Sequence, residues 1–487
     1  MRNPDQTAST AADGGLRATI SGEDGIEGAL DVGGDDLVDA APGRGQVVKG
    51  SMWFVASVAV GAVGGFAYWS LAARANDGQS QVVGLAAALF SAMLFVNYLT
   101  GMGLPVAVAR FAPANTRSVN VLFNWALIYT GVTSLVGTLG FFALAPLFMP
   151  DDALSSLFQW GVPFGLLVFF LLVTGQSFAV LVEVRLVTLR MWGWVFTRVV
   201  IVALLRLPLL ALPAMRTNPL GLLLIMAGMP ALSGFVGVLA LRYASPADHR
   251  AGLWPVPSES RPALRYASVN WLGQLASQTP QFVLPLIVVS QVDAQENAAF
   301  YLAWTITTVV FLVPHTVGQV VLAESSRHEH HLAHQVKVGM GLAVVLMVGA
   351  SLAAWLGSTF VTQRFFGASY AETAVLLPRL VAAGIPWAVT AICLARARVL
   401  HHGPATVAIT GGFAVLTLLP AAVLTSSAGV VGAADAWFVG NVLACVFAVV
   451  VSLVVKPEPR SRVVPSPEPI AGRSGLAASP DAHGSAT

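Results

Sequence analysis

Asn270, Gln274, Ser277, Gln278 and Gln281 recur at spacings of three and four, which puts them on one face of a helix. Amides donate and accept together, so such a stripe suits an array of hydroxyls, as on a sugar. A second stripe follows in Thr305, Thr308, His315 and Gln319, and its imidazole can change charge near neutral pH. Upstream, Arg198 and Arg206 stand eight residues apart. That separation is about 80° around a helix, so one broad face can hold both. Guanidinium makes paired hydrogen bonds to phosphate, and pyrophosphate is the natural anion for such a face. Structural readings compete with each of these: amides can join neighbouring helices, and arginines can snorkel to the ends of their segment. Arg379 lies a turn or two from the end of its own segment and reads as snorkelling. Asn97 and Tyr98 are weaker candidates for the same polar lining.

Acids are scarce where coupling to an ion gradient would need them. Asp435 is the one acid well inside an apolar segment and so the possible coupling residue, while Glu183 and Glu324 fall at segment ends. Glu183 has Arg185 and Arg190 within pairing range. The run from Arg327 to His334 misses the HExxH pattern because Leu332 takes the last position, and it reads as a solvated loop. Cys393 and Cys445 both fall in apolar segments, which suits neither a disulfide framework nor a zinc cluster. There is no P-loop, zinc signature or nucleophile elbow. The sequence therefore points to no enzyme, no metal, no cofactor and no nucleic-acid partner.

The elements that must position these residues are membrane spans. Hydrophobic residues make up 56% of the chain and charged ones 10%, and the mean hydropathy is +0.74. A soluble surface needs far more charge. A bilayer core of roughly 30 Å takes about 20 helical residues. On that rule spans lie near 50–74, 81–103, 119–149, 155–182, 187–213 and 219–242, then near 265–290, 297–322, 336–361, 373–397, 404–426 and 430–455. One face receives Arg44, Lys49, Arg110, Arg117, Arg185, Arg190, Arg242, Arg250, Arg261, Arg265, Arg327, Lys337, Arg396, Arg398, Lys456, Arg460 and Arg462, and the other only Arg74, Arg216 and Arg364. The positive-inside bias then places both termini in the cytoplasm. The chain divides into an acidic tail over 1–48, a six-helix lobe over 49–242, a proline-rich connector over 243–264, a second lobe over 265–455 and a tail over 456–487. Both tails lack apolar periodicity and read as disordered.

The two sets of six match. Shifted by 217 positions, the stretch from Tyr98 to Phe111 meets that from His315 to His328, with Gly101 on Gly318 and Arg110 on Arg327. An even number of spans per half makes this a parallel repeat about an axis normal to the membrane. The fold class is thus an all-α polytopic membrane protein, with about twelve transmembrane helices in two six-helix bundles around a central cavity.

GMGLPVAVARFAP (Gly101 to Pro113) resembles the end of span two in bacterial polysaccharide flippases of the MATE-like, or MOP exporter, superfamily. QTPQFVLPLIVVSQVDAQENAAFYLAW (Gln278 to Trp304), FGASYAETAVLLPRLVAAGIPWAV (Phe366 to Val389) and GVVGAADAWFVGNV (Gly429 to Val442) resemble the same family in order and spacing. The resemblance implies alternating access in the bacterial plasma membrane, moving a polyprenyl-pyrophosphate-linked glycan between leaflets. Membrane lipids, and the glycan polymerase and assembly machinery, would be its partners. Two alternatives stay open within transport. One is a cation-coupled multidrug or small-molecule antiporter of the same superfamily; the other is a peptidoglycan-precursor exporter, although those relatives usually carry fourteen spans. A membrane-embedded polymerase, ligase or acyltransferase is a third class, disfavoured by short external loops at 75–80, 150–154 and 427–429.

Overall fold

The computed structural model describes residues 44–101, 103–111, 116–244, 257–327, 332–400 and 402–454. The tails, most of the connector and the His328–His331 run lie outside the described residues. In lipid every backbone N–H and C=O must be satisfied within the segment, and the described chain answers with helices and no strand.

The first bundle comprises α1 (Arg44–Ala75), α2 (Ser80–Thr100), α3 (Leu104–Phe111), α4 (Thr116–Leu144), α5 (Asp151–Leu157), α6 (Val162–Thr188), α7 (Trp192–Leu209), α8 (Pro213–Arg216) and α9 (Pro219–Ala244). The second comprises α10 (Pro257–Val289), α11 (Ala294–Arg327), α12 (Leu332–Val361), α13 (Thr373–Ala382), α14 (Gly384–Val399) and α15 (Gly403–Val454). Ten helical segments among the described residues are long and apolar enough to cross a membrane. The 52-residue α15 is two helices divided at Ala428 and Gly429, where Gly429 has φ 59°. The 33-residue α10 is also long enough to cross, but its amides and prolines lower its hydropathy. Counting α15 twice and adding α10 recovers the twelve spans read from the sequence. For orientation, the terminal face is where α1 begins and α15 ends; the other is the opposite face.

Glycines set how closely helices approach. Gly175 of α6 and Gly234 of α9 bring those backbones together, since a Cβ on Gly234 would overlap the Gly175 carbonyl. Between α1 and α7 the close approach is at Gly64, whose Cβ would stand 2.7 Å from that of Ala203. Gly61 and Gly65, four apart on α1, make only ordinary contacts. Span two runs unbroken as α2 to Thr100, and the chain turns at its end. Gly103, at φ 68°, turns the chain between α2 and α3 and lies so close to α10 that a Cβ would come 2.5 Å from the Ala267 carbonyl.

The bundles meet along α2 and α11, and their shared core joins Tyr68, Trp69, Phe90 and Met93 to Tyr301, Leu302, Phe366 and Tyr370. Trp69 and Tyr301 lie 5.0 Å apart, edge to face. Near the opposite face, buried Asn297 donates from Nδ2 to the Gly84 carbonyl at 2.8 Å. A Cβ at Gly84 would overlap the Ala294 carbonyl, so α11 passes directly over α2 there. Gly84→Val is therefore expected to destabilise the protein by about 1–3 kcal/mol, the usual range for overpacking. Thermal unfolding in detergent checks it, with Gly131→Val, where nothing lies within 4 Å, expected to unfold like the parent.

Candidate functional site

Two cavities flank α10. The first, of about 190 Å³, is lined by Ser277, Gln278 and Gln281 of α10, Thr308, His315 and Gln319 of α11, and Trp387 and Arg398 of α14. Six residues singled out from two separate stripes thus share one cavity. Ser277 donates to the Gln274 carbonyl and Thr308 to the Thr305 carbonyl, each at 2.9 Å, leaving their oxygens as acceptors. Among the described residues, the side chains of Gln278, Gln281, His315, Gln319 and Arg398 make no hydrogen bond to protein, so their polar groups remain available in the cavity. Among the described residues no carboxylate lines it; the side chain of Glu324, further along α11, lies outside them. Its aromatic side is firm: Phe311 stacks on Trp387 at 6.4 Å, and Trp387 leans on Phe413 at 4.6 Å. At this size the cavity falls short of the roughly 300–1,000 Å³ of typical small-molecule sites.

Gln274 belongs to the second cavity, of about 240 Å³, with Asn97, Tyr98, Gly101, Gly103, Ser177 and Trp271. The amide stripe is therefore divided along its axis. Gln274 sits nearer the terminal face, where α10 leans on the first bundle, and Ser277 onward sits level with α11 and α14. Tyr98 holds α10 in that position. Its hydroxyl donates to the Gln274 carbonyl at 2.6 Å, and its ring stacks on Phe282 at 4.6 Å. Asn97 is spent within the first bundle, donating to the Val173 carbonyl and to Ser177 Oγ. The side chain of Asn270 lies outside the described residues.

The two arginines read from the sequence as pyrophosphate ligands line neither cavity. Arg198 Nη2 reaches Glu183 Oε2 at 2.8 Å, bridging α7 to α6 inside the first bundle. Arg206 is 9% exposed. It lies near Tyr68, whose hydroxyl donates to the Leu222 carbonyl at 2.7 Å. Asp435 is ion-paired with Arg379 at 3.2 Å, linking the second half of α15 to α13, and both side chains are about half exposed. The cation that does line the first cavity, Arg398, is legible in the sequence only as one positive charge among many at a span end. Three-dimensional placement of α14 beside α11 separates it from the rest.

No family model matches the sequence, and no curated protein matches it. Solved structures do match. An inward-facing multidrug resistance MATE family transporter of the MOP superfamily aligns at 18% identity and TM-score 0.58, over 83% of this chain and 94% of that one. The lipid II flippase MurJ, in an inward closed conformation, aligns at 12% identity and TM-score 0.62, over 83% of this chain and 87% of that one. A MOP superfamily transporter from Pyrococcus furiosus, described as having a binding pocket of reverse polarity, aligns at 14% identity and TM-score 0.53, over 84% and 94%. The chain therefore has the fold shared by MATE transporters and lipid II flippase within the MOP superfamily.

The two arginine environments predict opposite phenotypes. Arg198→Ala leaves Glu183 without its partner and is expected to lower stability by about 1–3 kcal/mol, the loss typical of a hydrogen bond to a charged group. Arg398→Ala is expected to leave stability nearly unchanged and to weaken binding of an anionic ligand. Thermal unfolding and calorimetric titration with inorganic pyrophosphate on both variants check this.

Proposed function

We propose that the protein is a flippase carrying a polyprenyl-pyrophosphate-linked oligosaccharide across the bacterial plasma membrane by alternating access, in surface polysaccharide biosynthesis. The observation that carries this reading is the first cavity. It combines a guanidinium and an imidazole, for a phosphate-bearing group, with three glutamines and two hydroxyls, for a glycan, and has no acid among the described residues. Membrane lipids surround the protein, and the glycan polymerase and assembly machinery would act on its product.

The positive-inside bias supports cytoplasmic termini, which makes the opposite face external. In that frame the bundles are closed on the outside, and the cavities lie toward the cytoplasmic halves of α10, α11 and α14. This is a conformation suited to loading from the inner leaflet. Arg398 takes the part the sequence suggested for Arg198 and Arg206, gripping pyrophosphate. Ser277, Gln278, Gln281, Thr308 and Gln319 bind sugar hydroxyls, and Gln274 contributes from the second cavity.

The same fold also serves the MATE antiporter reading, in which a drug cation would be bound. Among the described residues that reading lacks a carboxylate in the cavity, since Asp435 and Glu183 are both held by arginines outside it; the side chain of Glu324, on α11, lies outside the described residues. The deciding experiment sorts lipid-linked oligosaccharide by leaflet in cells depleted of the protein and re-supplied with variants. Build-up on the cytoplasmic leaflet, rescued by the parent and not by Arg398→Ala, is the expected result. In purified form Arg398→Ala should weaken a short-chain polyprenyl pyrophosphate by roughly ten- to a hundredfold, the worth of one or two charge-assisted hydrogen bonds. Normal glycan export together with raised sensitivity to cationic drugs would overturn the proposal in favour of the antiporter.

A further inference from the structure

At the opposite face the α1–α2 turn meets the segment that joins α12 to α13, from the other bundle. Asp77 Oδ1 accepts the Ser369 backbone N–H at 3.1 Å, and the Gly78 N–H donates to Ser369 Oγ at 2.8 Å. One turn earlier, Arg74 Nη1 donates to the Gln363 carbonyl at 2.9 Å. Deeper in α1, the Phe66 ring lies edge-on to Phe365 and Phe366, with centroids 5.5 and 6.0 Å away. Backbone shape on the receiving side is specialised for this seat. Thr362–Phe366 is a π-helical turn, a form that recurs at functional positions. Gly367 follows at φ 116°, and a Cβ there would stand 2.5 Å from Asp77 Oδ2.

The contact is one-sided. At the matching turn of the second half, Asp293 Oδ1 accepts the N–H of Glu296 in its own helix at 2.8 Å and serves as a cap. Asp77 instead spends its carboxylate across the bundles. Hydrogen bonds from the Ser369 side chain and backbone, then from the Ala368 backbone, with the nearby Arg74 charge, hold that carboxyl below its ordinary range. It therefore stays an anion and an acceptor. Arg74, Asp77 and Gly78 are exposed and Ser369 is half-buried, unlike the buried Asn297 to Gly84 seam. Hydrogen bonds in water are individually weak and reversible, which is what a contact that opens repeatedly requires.

We propose that the Asp77 turn and the 362–370 segment form a latch that keeps the two bundles closed at this face. Gly367 is the seat, Asp77 the bolt, and Arg74 and Phe66 the brace along α1. The latch stands on contact geometry alone; the flippase reading enters only in what its release would serve.

Distance measurement between spin labels tests it in the full chain, in lipid nanodiscs. Labels go on Ser155→Cys in α5 and Ser426→Cys near the end of the first half of α15, with Cys393→Ala and Cys445→Ala removing the native thiols. The parent is expected to give one short-distance population. Asp77→Ala and Gly367→Ala should each add a longer-distance population, while Asp77→Asn, which keeps an acceptor oxygen, should stay near the parent. A Gly78→Cys, Ser369→Cys crosslink should abolish the longer population of Gly367→Ala. Parent-like distances in Asp77→Ala would overturn the latch, and because Asp77 is exposed that variant decides even if Gly367→Ala folds poorly. A longer population in a protein that moves no lipid-linked glycan would uphold the latch and remove the flippase reading.

Discussion

Hydrocarbon leaves no solvent to finish a hydrogen bond, and most of this structure follows from that constraint. Backbone groups are satisfied by helices throughout the described spans. Polar side chains then have two stable outcomes: a partner inside the protein, or a cavity that water and ligand can enter. Arg198 with Glu183 and Arg379 with Asp435 take the first outcome. Arg398, His315 and the glutamines of α10 and α11 take the second. Pairing therefore separates charges that hold the bundles together from charges that can hold a ligand.

Because α10 packs against both bundles, it is the element on which the interface turns. Its terminal-face half rests on α3 at Ala267 and is held to α2 by Tyr98. Its amides open into one cavity at Gln274 and into another from Ser277 onward. Pro280 and Pro285 lie just beyond, each removing a backbone N–H and weakening the helix where the two bundles would move relative to one another. The opposite face is built differently. There Gly84, Asn297 and the aromatic group of Trp69, Phe90 and Tyr301 close the bundles with a dry, tightly packed seam. The bundles are thus sealed at one face and hollow toward the other.

Much of this was legible in the amino-acid order. Span number, the break at Ser427–Gly429 and the stripes on α10 and α11 follow from hydropathy and from spacings of three and four, because a helix in lipid imposes both. The sharing of one cavity by Ser277, Gln278, Gln281, Thr308, His315 and Gln319 follows less directly, since helical spacing defines a face but not what that face meets. The arginines' partners were not legible. Arg198 and Arg206 have the types and spacing of anion ligands, yet α6 presents Glu183 to Arg198, while Arg206 is buried near Tyr68 with its Nε unpaired. Arg398 looks like one more positive charge at a span end, and only the packing of α14 against α11 turns it into the cavity.

Composition and periodicity by themselves determined that the chain is a bundle of membrane helices, because burying a backbone in lipid admits few other solutions. Which polar side chain finds a partner, and which is left facing a cavity, was decided by tertiary structure alone. That choice depends on contacts between residues far apart in the chain, such as Arg74 with Gln363 or Asn297 with Gly84, and no local pattern encodes them.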